Sequence, residues 1–256
     1  MAQAQTISCR QFLPNPADEQ LMELLRTPPL VNVDQFRRTH WREYQWDAQE
    51  EDLWETTAGA YNAAIEAYQA NDLQEAIECD EAAIELIPRF AEPHMHLAVI
   101  YQKTQDWRKC KQTVERAMHC VQEEVPDLHF CLGRAFYAEG NLGDAVSEFQ
   151  KEIAIGGPNY NVLRWLIQAF DDQLEPIFRQ KNDWGNRFQI RRLTGCAIVC
   201  GFRASAMNFD SRFAAHLCQL WDDFERTGGW TLEGLQAMTG ISMNEFKGFY
   251  RSYGGR

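Results

Sequence analysis

The sequence lacks the features that membrane helices and disulfide frameworks need. No apolar run exceeds five residues, as at Cys196–Cys200, whereas a membrane helix needs about 20. The eight cysteines include no Cys-x-x-Cys pair, so a disulfide-stapled domain is not expected. The first ten residues have no basic start followed by an apolar run, and we expect no secretory signal. These absences predict a cytoplasmic, reducing location and no membrane partner.

Enzyme signatures are also missing. The chain has no phosphate loop, dinucleotide fingerprint or serine elbow. His94 and His96 lie two residues apart in a predicted helix, so they point to different sides and do not form a joint metal site. Cys196 and Cys200 lie four apart on one helical face, but buried inert thiols are the simpler interpretation. We therefore predict a protein that is not an enzyme and has no metal or cofactor.

Composition and charge describe a folded, acidic protein. Of 256 residues, 45% are apolar and 24% charged, as in average globular chains. The net charge of −12 repels nucleic acid and anionic lipid over most of the surface. This charge is uneven, at −5 for residues 1–55, −9 for 56–158 and +2 for 159–256. A polyanionic partner would therefore need a local basic patch.

A period of 34 to 35 residues runs through the middle of the chain. Its markers are Ala64, Ala67, Ala76 and Ala83, then Ala98, Tyr101, Cys110 and Ala117, then Gly133, Phe136, Ala145 and Glu152. Turn signals at Asn71–Asp72, Gln105–Asp106 and Gly140–Asn141 divide each copy into two stretches. Because small residues let antiparallel helices cross closely, each copy is predicted to be a helical hairpin.

The pattern resembles the tetratricopeptide repeat (TPR) over residues 57–158. The third copy matches best, with Leu132, Gly133, Phe136, Ala145 and Phe149. The first departs most, since Ala67 and Asp80 stand where the family prefers aromatic rings. The resemblance implies an all-α, right-handed solenoid of helical hairpins. A degenerate fourth copy or cap is expected at 159–182, with Pro176 interrupting its second helix.

Solenoids of this kind present a concave groove, lined mainly by the first helix of each hairpin, to a peptide or helix of another protein. By analogy with the family, the resemblance assigns ten partner-binding residues: Tyr61, Ile65, Tyr68, Met95, Val99, Gln102, Lys103, Phe130, Arg134 and Tyr137. Relatives that grip the acidic C-terminus of chaperones use Lys, Asn and Arg in these places, so that specificity is not expected here. The alternative is that these rings pack against the chain's own flanks.

The flanks are predicted to be helical too. Residues 1–56 form an N-terminal arm with an amphipathic helix at 17–26, which either fills the groove or caps its open end. Three aromatics at Trp41, Tyr44 and Trp46 are interpreted as a docking contact onto the repeats. Both features would cover apolar surface of the solenoid.

Residues 183–256 are predicted to form a C-terminal helical domain. Within it, 231–251 resembles a helix-turn-helix, with Leu235, Gly240, Ile241, Ser242, Phe246 and Phe249 in the matching places. In that family the second helix enters the major groove of DNA. Because 231–256 holds few bases, we favour a plain hairpin that closes the domain.

We therefore expect a non-catalytic scaffold, adaptor or assembly factor that binds a helix or extended peptide of another protein in the groove, without nucleic acid. Two alternatives stay open. One is a DNA-binding regulator that uses the C-terminal hairpin, and the other is a constitutive structural subunit of a larger complex. Homo-oligomerisation is compatible with all three.

Overall fold

The computed structural model describes residues 47–121, 125, 127–179, 184–208, 217–218, 221–222, 224–225 and 232–252. Over these residues the protein is all-helical, with ten helices and no strand, which confirms the predicted all-α class. The predictions for 17–26 and for Trp41, Tyr44 and Trp46 lie outside the described residues. No described helix combines the length and apolar composition that a bilayer crossing requires.

The described residues divide into two compact units, one ending at Ala135 and the other starting at Phe136. The helices of the first are α1 (Ala48–Gln69), α2 (Leu73–Leu86), α3 (Ala91–Lys103), α4 (Trp107–Cys120) and most of α5 (Leu128–Ala138). The second contains α6 (Leu142–Gly156), α7 (Tyr160–Arg179), α8 (Trp184–Asn208), α9 (Leu232–Thr239) and α10 (Met243–Ser252).

Helix α1 begins before the predicted start of the repeats at residue 57. Asp47 caps it, since its carboxylate accepts hydrogen bonds from the backbone N–H groups of Gln49 and Glu50, both at 2.9 Å. The Glu50 carboxylate accepts in return from the Asp47 N–H at 3.0 Å. This reciprocal capping box satisfies amides that a helix start leaves unpaired, and so it extends α1 toward the N-terminus.

Three turns of one geometry join the predicted hairpin halves. Asn71, Gln105 and Gly140 have positive φ angles of 61°, 59° and 80°. After each, a backbone N–H donates to the carbonyl five residues back: Asp72 to Ala67 at 2.8 Å, Asp106 to Tyr101 at 2.9 Å and Asn141 to Phe136 at 2.9 Å. A left-handed residue closed in this way is a common helix ending. The predicted turn positions are confirmed.

The small residues of the period are buried. They are Ala64, Ala76, Ala83, Ala98, Cys110, Ala117, Gly133 and Ala145, and Glu152 is buried with them. In the first unit, α1 packs on α2, α2 on α3 and α3 on α4. Side chains no larger than these leave room for the backbone of a facing helix, so their burial agrees with the close crossing expected from the sequence.

In the second unit, α7 packs against α6 and α8, and α9 and α10 pack on α8. The expectation that Pro176 interrupts a helix was wrong, because α7 runs through it to Arg179. Leu174 before the proline and Ile177 after it both belong to the buried face of α7. Proline removes one backbone donor and its ring crowds the carbonyl four residues earlier, and packing of this face offsets that cost.

The C-terminal segment forms a helical hairpin on α8. Gly240 makes the turn between α9 and α10 with φ of 68°, and Leu235, Ile241 and Phe246 are buried. A Cβ atom on Gly195 would lie 2.9 Å from atoms of both Leu235 and Phe224. Glycine in α8 therefore permits the close approach of the hairpin.

Candidate functional site

The ten predicted partner-binding residues lie on α1, α3 and α5. Six are buried within this single chain: Tyr61, Ile65, Tyr68, Gln102, Phe130 and Arg134. Four are half-buried: Met95, Val99, Lys103 and Tyr137. Many of them contact the next first helix along the chain, so they hold successive hairpins together. We call the contacts around Asp80 and His96 the first junction and those around Gln102 and Arg134 the second junction.

Aromatic rings surround His96 in the first junction. The imidazole meets the rings of Tyr61 and Tyr68 edge to face, with centroids 6.0 Å and 5.2 Å away. Phe90 packs on Tyr61 at 5.5 Å and on Trp54 at 5.2 Å, also edge to face. Such ring pairs add to the free energy gained by burial. The first junction is thus an aromatic cluster that encloses one polar ring.

His96 in α3 is paired with Asp80 in α2. Its Nδ1 lies 2.8 Å from Asp80 Oδ2, and the two side chains are only 2% and 0% exposed. Burial raises the pKa of Asp80 to about 6, although the hydrogen bond and charge of His96 act in the opposite direction. Asp80 Oδ1 and His96 Nε2 find no hydrogen-bond partner among the described residues. The pair therefore links two hairpins without access to solvent.

This pair was not predicted from the sequence. Asp80 occupies an aromatic position of the repeat, and the equivalent residue of the third copy, Phe149, is buried. A carboxylate in such a place requires a polar or charged partner. The histidine sixteen residues later on the adjoining helix was therefore the detectable signal.

The second junction contains an amide and a guanidinium instead. Arg134 Nη1 donates to Gln102 Oε1 at 2.5 Å, and the guanidinium lies 6.0 Å from the Phe130 ring. The thiols of Cys110 and Cys131 adjoin Gln102, and burial raises the pKa of Cys110 to about 11 and that of Cys131 still further. These thiols therefore stay protonated at neutral pH, and a protonated thiol is a poor nucleophile.

Further contacts in the first unit join equivalent helices. Lys103 Nζ donates to Asn71 Oδ1 at 3.1 Å and lies 4.6 Å from the Tyr68 ring centroid. On the second helices, Arg116 Nη2 donates to Glu81 Oε2 at 2.8 Å. These links connect residues 32 or 35 positions apart. Their spacing is close to the period of the sequence.

No protein-family model and no curated protein sequence matches the chain.

Tyr137 contacts Asp172 and Trp165 of α7. Its hydroxyl donates to the Asp172 carboxylate, and its ring lies 5.0 Å from that of Trp165, edge to face. The Gln168 side chain also donates to Asp172, at 3.0 Å. These contacts of Tyr137 lie within the second unit, which starts at Phe136.

Three of the residues considered as metal ligands, His94, His96 and Cys196, each contact a different group. The His94 ring lies 2.8 Å from the Pro88 carbonyl oxygen, on a different contact from His96. Cys196 is buried, with its sulfur 3.8 Å from that of Met238, and burial raises its pKa to about 12. Among the described residues, no group of three or more His, Cys, Asp or Glu is arranged to hold a metal ion.

The surface of α10 is relevant to the DNA alternative. Its exposed residues are Asn244, Lys247, Gly248, Arg251 and Ser252. The Glu245 carboxylate is held by Arg203 of α8 at 2.7 Å. The exposed side of α10 therefore carries two bases and no acid.

Proposed function

We propose that residues 57–158 are TPR-like hairpins stacked in a solenoid, and that the protein is a non-catalytic adaptor that binds a helix or extended segment of another protein. One observation supports this most strongly: the turns recur with the period of the sequence, and several contacts between hairpins span about one period. The positive-φ residues recur after 34 and 35 positions. Stacked helical repeats bury a continuous core through just this kind of neighbour contact.

The register of the contacts supports stacking of equivalent helices. Tyr68 and Lys103 are 35 residues apart on first helices, and Gln102 and Arg134 are 32 apart. A link of about one period joins corresponding elements of consecutive copies. Hairpins that packed in unrelated orientations would not show the same step on first helices and on second helices.

Partner binding would use the half-exposed part of the groove. Met95, Val99 and Lys103 lie on α3 and are half-buried in the free chain. Met95 and Val99 are four residues apart and so share a face, where they offer an apolar contact to a partner side chain. The buried Tyr61, Gln102 and their neighbours support this face rather than contact the partner.

Affinity purification with matched variants tests the adaptor. A tagged Met95→Ala/Val99→Ala protein should lose most of the partner proteins that the wild type recovers. Met118→Ala is the control, since Met118 is a half-buried methionine on the second helix of the same hairpin. If all three proteins recover the same partners while their melting temperatures agree, this face is not the binding surface.

DNA binding is the second candidate, supported by the acid-free exposed side of α10. Lys247 and Arg251 would contact phosphates, each contact being weakened by salt. A Lys247→Gln/Arg251→Gln variant should then release a duplex oligonucleotide that the wild type retains in a mobility-shift assay at low salt. Absence of retention by the wild type would remove this candidate and leave the adaptor untouched.

A further inference from the structure

The contacts between the first and second hairpins and those between the second and third differ at one pair of equivalent positions. Asp80 and His96 meet at the first junction, and the residues 34 and 35 positions later are Val114 and Cys131. These two are buried as well, at 0% and 3% exposure. Burial raises the pKa of the Cys131 thiol, so neither of them changes charge near neutral pH. Of the two junctions, the first alone has a carboxyl and an imidazole at this place.

Each member of the Asp80–His96 pair has one polar atom left over. Asp80 Oδ2 lies 2.8 Å from His96 Nδ1, whereas Asp80 Oδ1 and His96 Nε2 have no hydrogen-bond partner among the described residues. The side chains are 0% and 2% exposed, so bulk water does not reach these atoms. A buried carboxyl that lacks hydrogen bonds is costlier to bury in its charged form than in its neutral form. Ionisation of Asp80 therefore favours an opening of the junction that lets water in.

The titratable groups around the pair do not neutralise an ionised Asp80. The pKa values of four neighbours are raised, and these groups stay uncharged at neutral pH: Tyr61 and Tyr68 of α1, Cys79 of α2 and Tyr101 of α3. Glu81 of α2 raises the pKa of Asp80, and Glu92 of α3 acts in the same direction on Tyr61. Arg116 of α4 is the base of this group, and Glu81 holds it at 2.8 Å.

The balance of these effects makes the closed junction bind a proton. His96 favours the charged form of Asp80, but burial outweighs it, and the pKa of Asp80 rises from 3.8 to about 6. Once water reaches Asp80 in the opened junction, its pKa returns toward the ordinary value and the proton leaves. Opening thus becomes easier as pH rises above 3.8, and the effect levels off above about 6.

We propose that the Asp80–His96 pair is a pH-sensitive latch between the first two hairpins, which opens locally more often at neutral than at acidic pH. Opening separates α3 from α2 while the second junction stays closed. Helix α3 also carries Met95 and Val99, so a partner that contacts both hairpins would bind the closed latch only. The latch itself does not depend on the proposed function.

Hydrogen–deuterium exchange of the full chain, followed by mass spectrometry of its peptides, tests the latch. The measured quantity is the exchange rate of the α3 amides in wild type divided by that in Asp80→Asn, so the intrinsic effect of pH on exchange cancels. This ratio should rise about tenfold between about pH 5 and 7.5, because the pKa of Asp80 is 3.8 in the opened junction and about 6 in the closed one. The same ratio for the α5 amides around Arg134 should stay constant.

A second variant copies the other junction into the first. Asp80→Val/His96→Cys installs the residues of the equivalent positions, and replacement of a buried charged pair by apolar residues is often neutral or stabilising. Its α3 amides should exchange in constant ratio to those of Asp80→Asn, and it is the reference if Asp80→Asn does not fold. Three results would overturn the latch: a wild-type α3 ratio that is independent of pH, an equal change in α3 and α5, which means global unfolding, or a double variant that keeps the wild-type pH dependence.

Discussion

The two junctions of the first unit occupy equivalent places between successive hairpins, but their side chains differ in chemistry. At the first, the Asp80 carboxyl and the His96 ring form a hydrogen-bonded pair closed to solvent. At the second, the charged Arg134 meets the neutral amide of Gln102. Each joins a hairpin to the next one along the chain. The comparison shows that a repeated backbone does not impose one kind of contact between its copies.

This difference in chemistry predicts how strongly a substitution at each junction lowers the stability of the protein. Removal of His96 leaves the Asp80 carboxyl buried without its partner, which destabilises strongly when that carboxyl is ionised. Removal of the neutral Gln102 amide forfeits one hydrogen bond of the Arg134 guanidinium, which keeps its contact with the Phe130 ring. The first junction should therefore be the more fragile of the two, and it should respond to pH.

Substitution at His96 should have the largest effect. His96→Ala leaves Asp80 buried without its partner and opens space beside Tyr61 and Tyr68, so the free energy of unfolding should fall by about 3–5 kcal/mol. Urea titration followed by circular dichroism measures the change. His94→Ala is the neighbouring control, because the His94 ring is also buried but pairs with the Pro88 carbonyl oxygen instead of an acid. An equal loss in both variants would mean that the pair contributes nothing specific.

The pH dependence of the first junction comes next in size. The pKa of Asp80 is raised from its ordinary 3.8 to about 6 by burial, so the folded state holds the proton more tightly than the unfolded state. Its contribution to stability is fully present below the ordinary pKa and is lost as pH rises through about 6. Wild type should lose roughly 2–3 kcal/mol relative to Asp80→Asn between pH 4 and 7.

The neighbours of Asp80 also affect how stability depends on pH. His96, Glu81, Tyr61 and Tyr101 all interact with it electrostatically. Asp80→Asn keeps the shape of the side chain and removes the titration of Asp80. The difference between the two stability curves therefore reports the titration of Asp80 together with its coupling to these neighbours. Parallel curves from pH 4 to 8 would show that Asp80 titrates in the folded chain as it does when unfolded.

The second junction should tolerate substitution better. Gln102→Ala removes the oxygen that accepts from Arg134 and the amide beside two thiols, and we expect a loss of about 2 kcal/mol. Gln102→Glu replaces the amide by a carboxylate next to the guanidinium and should recover part of that loss, which a simple packing role would not. Both values come from urea titration. A loss from Gln102→Ala that matches His96→Ala would end the distinction between the junctions.

Local and periodic features were predictable from the sequence. The turns at Asn71, Gln105 and Gly140 and the buried small residues follow from the period, because each depends on a few neighbouring positions. The Asp80–His96 pair was not predicted, since the period identifies buried positions without saying which of them pair. The prediction that Pro176 interrupts a helix was wrong, because it considered the proline alone and not the buried face of α7 that continues past it. The groove residues were located on their helices, but their burial depends on contacts between hairpins.

The smallest predicted effect compares α2 with α4 at their first turns. Lys109→Glu gives α4 the Asp-x-x-Glu pattern of Asp72 and Glu75, replaces a base by an acid at a helix N-terminus and should stabilise the protein by about 0.3–1 kcal/mol. Lys247→Glu is the same exchange five residues into α10, where the dipole favours it less, and it should bring no gain. Thermal melting at low and high salt distinguishes the two, because an electrostatic gain shrinks as salt rises. If Lys109→Glu instead destabilises the chain, Lys109 supports the fold through Asp106 and the Tyr101 ring.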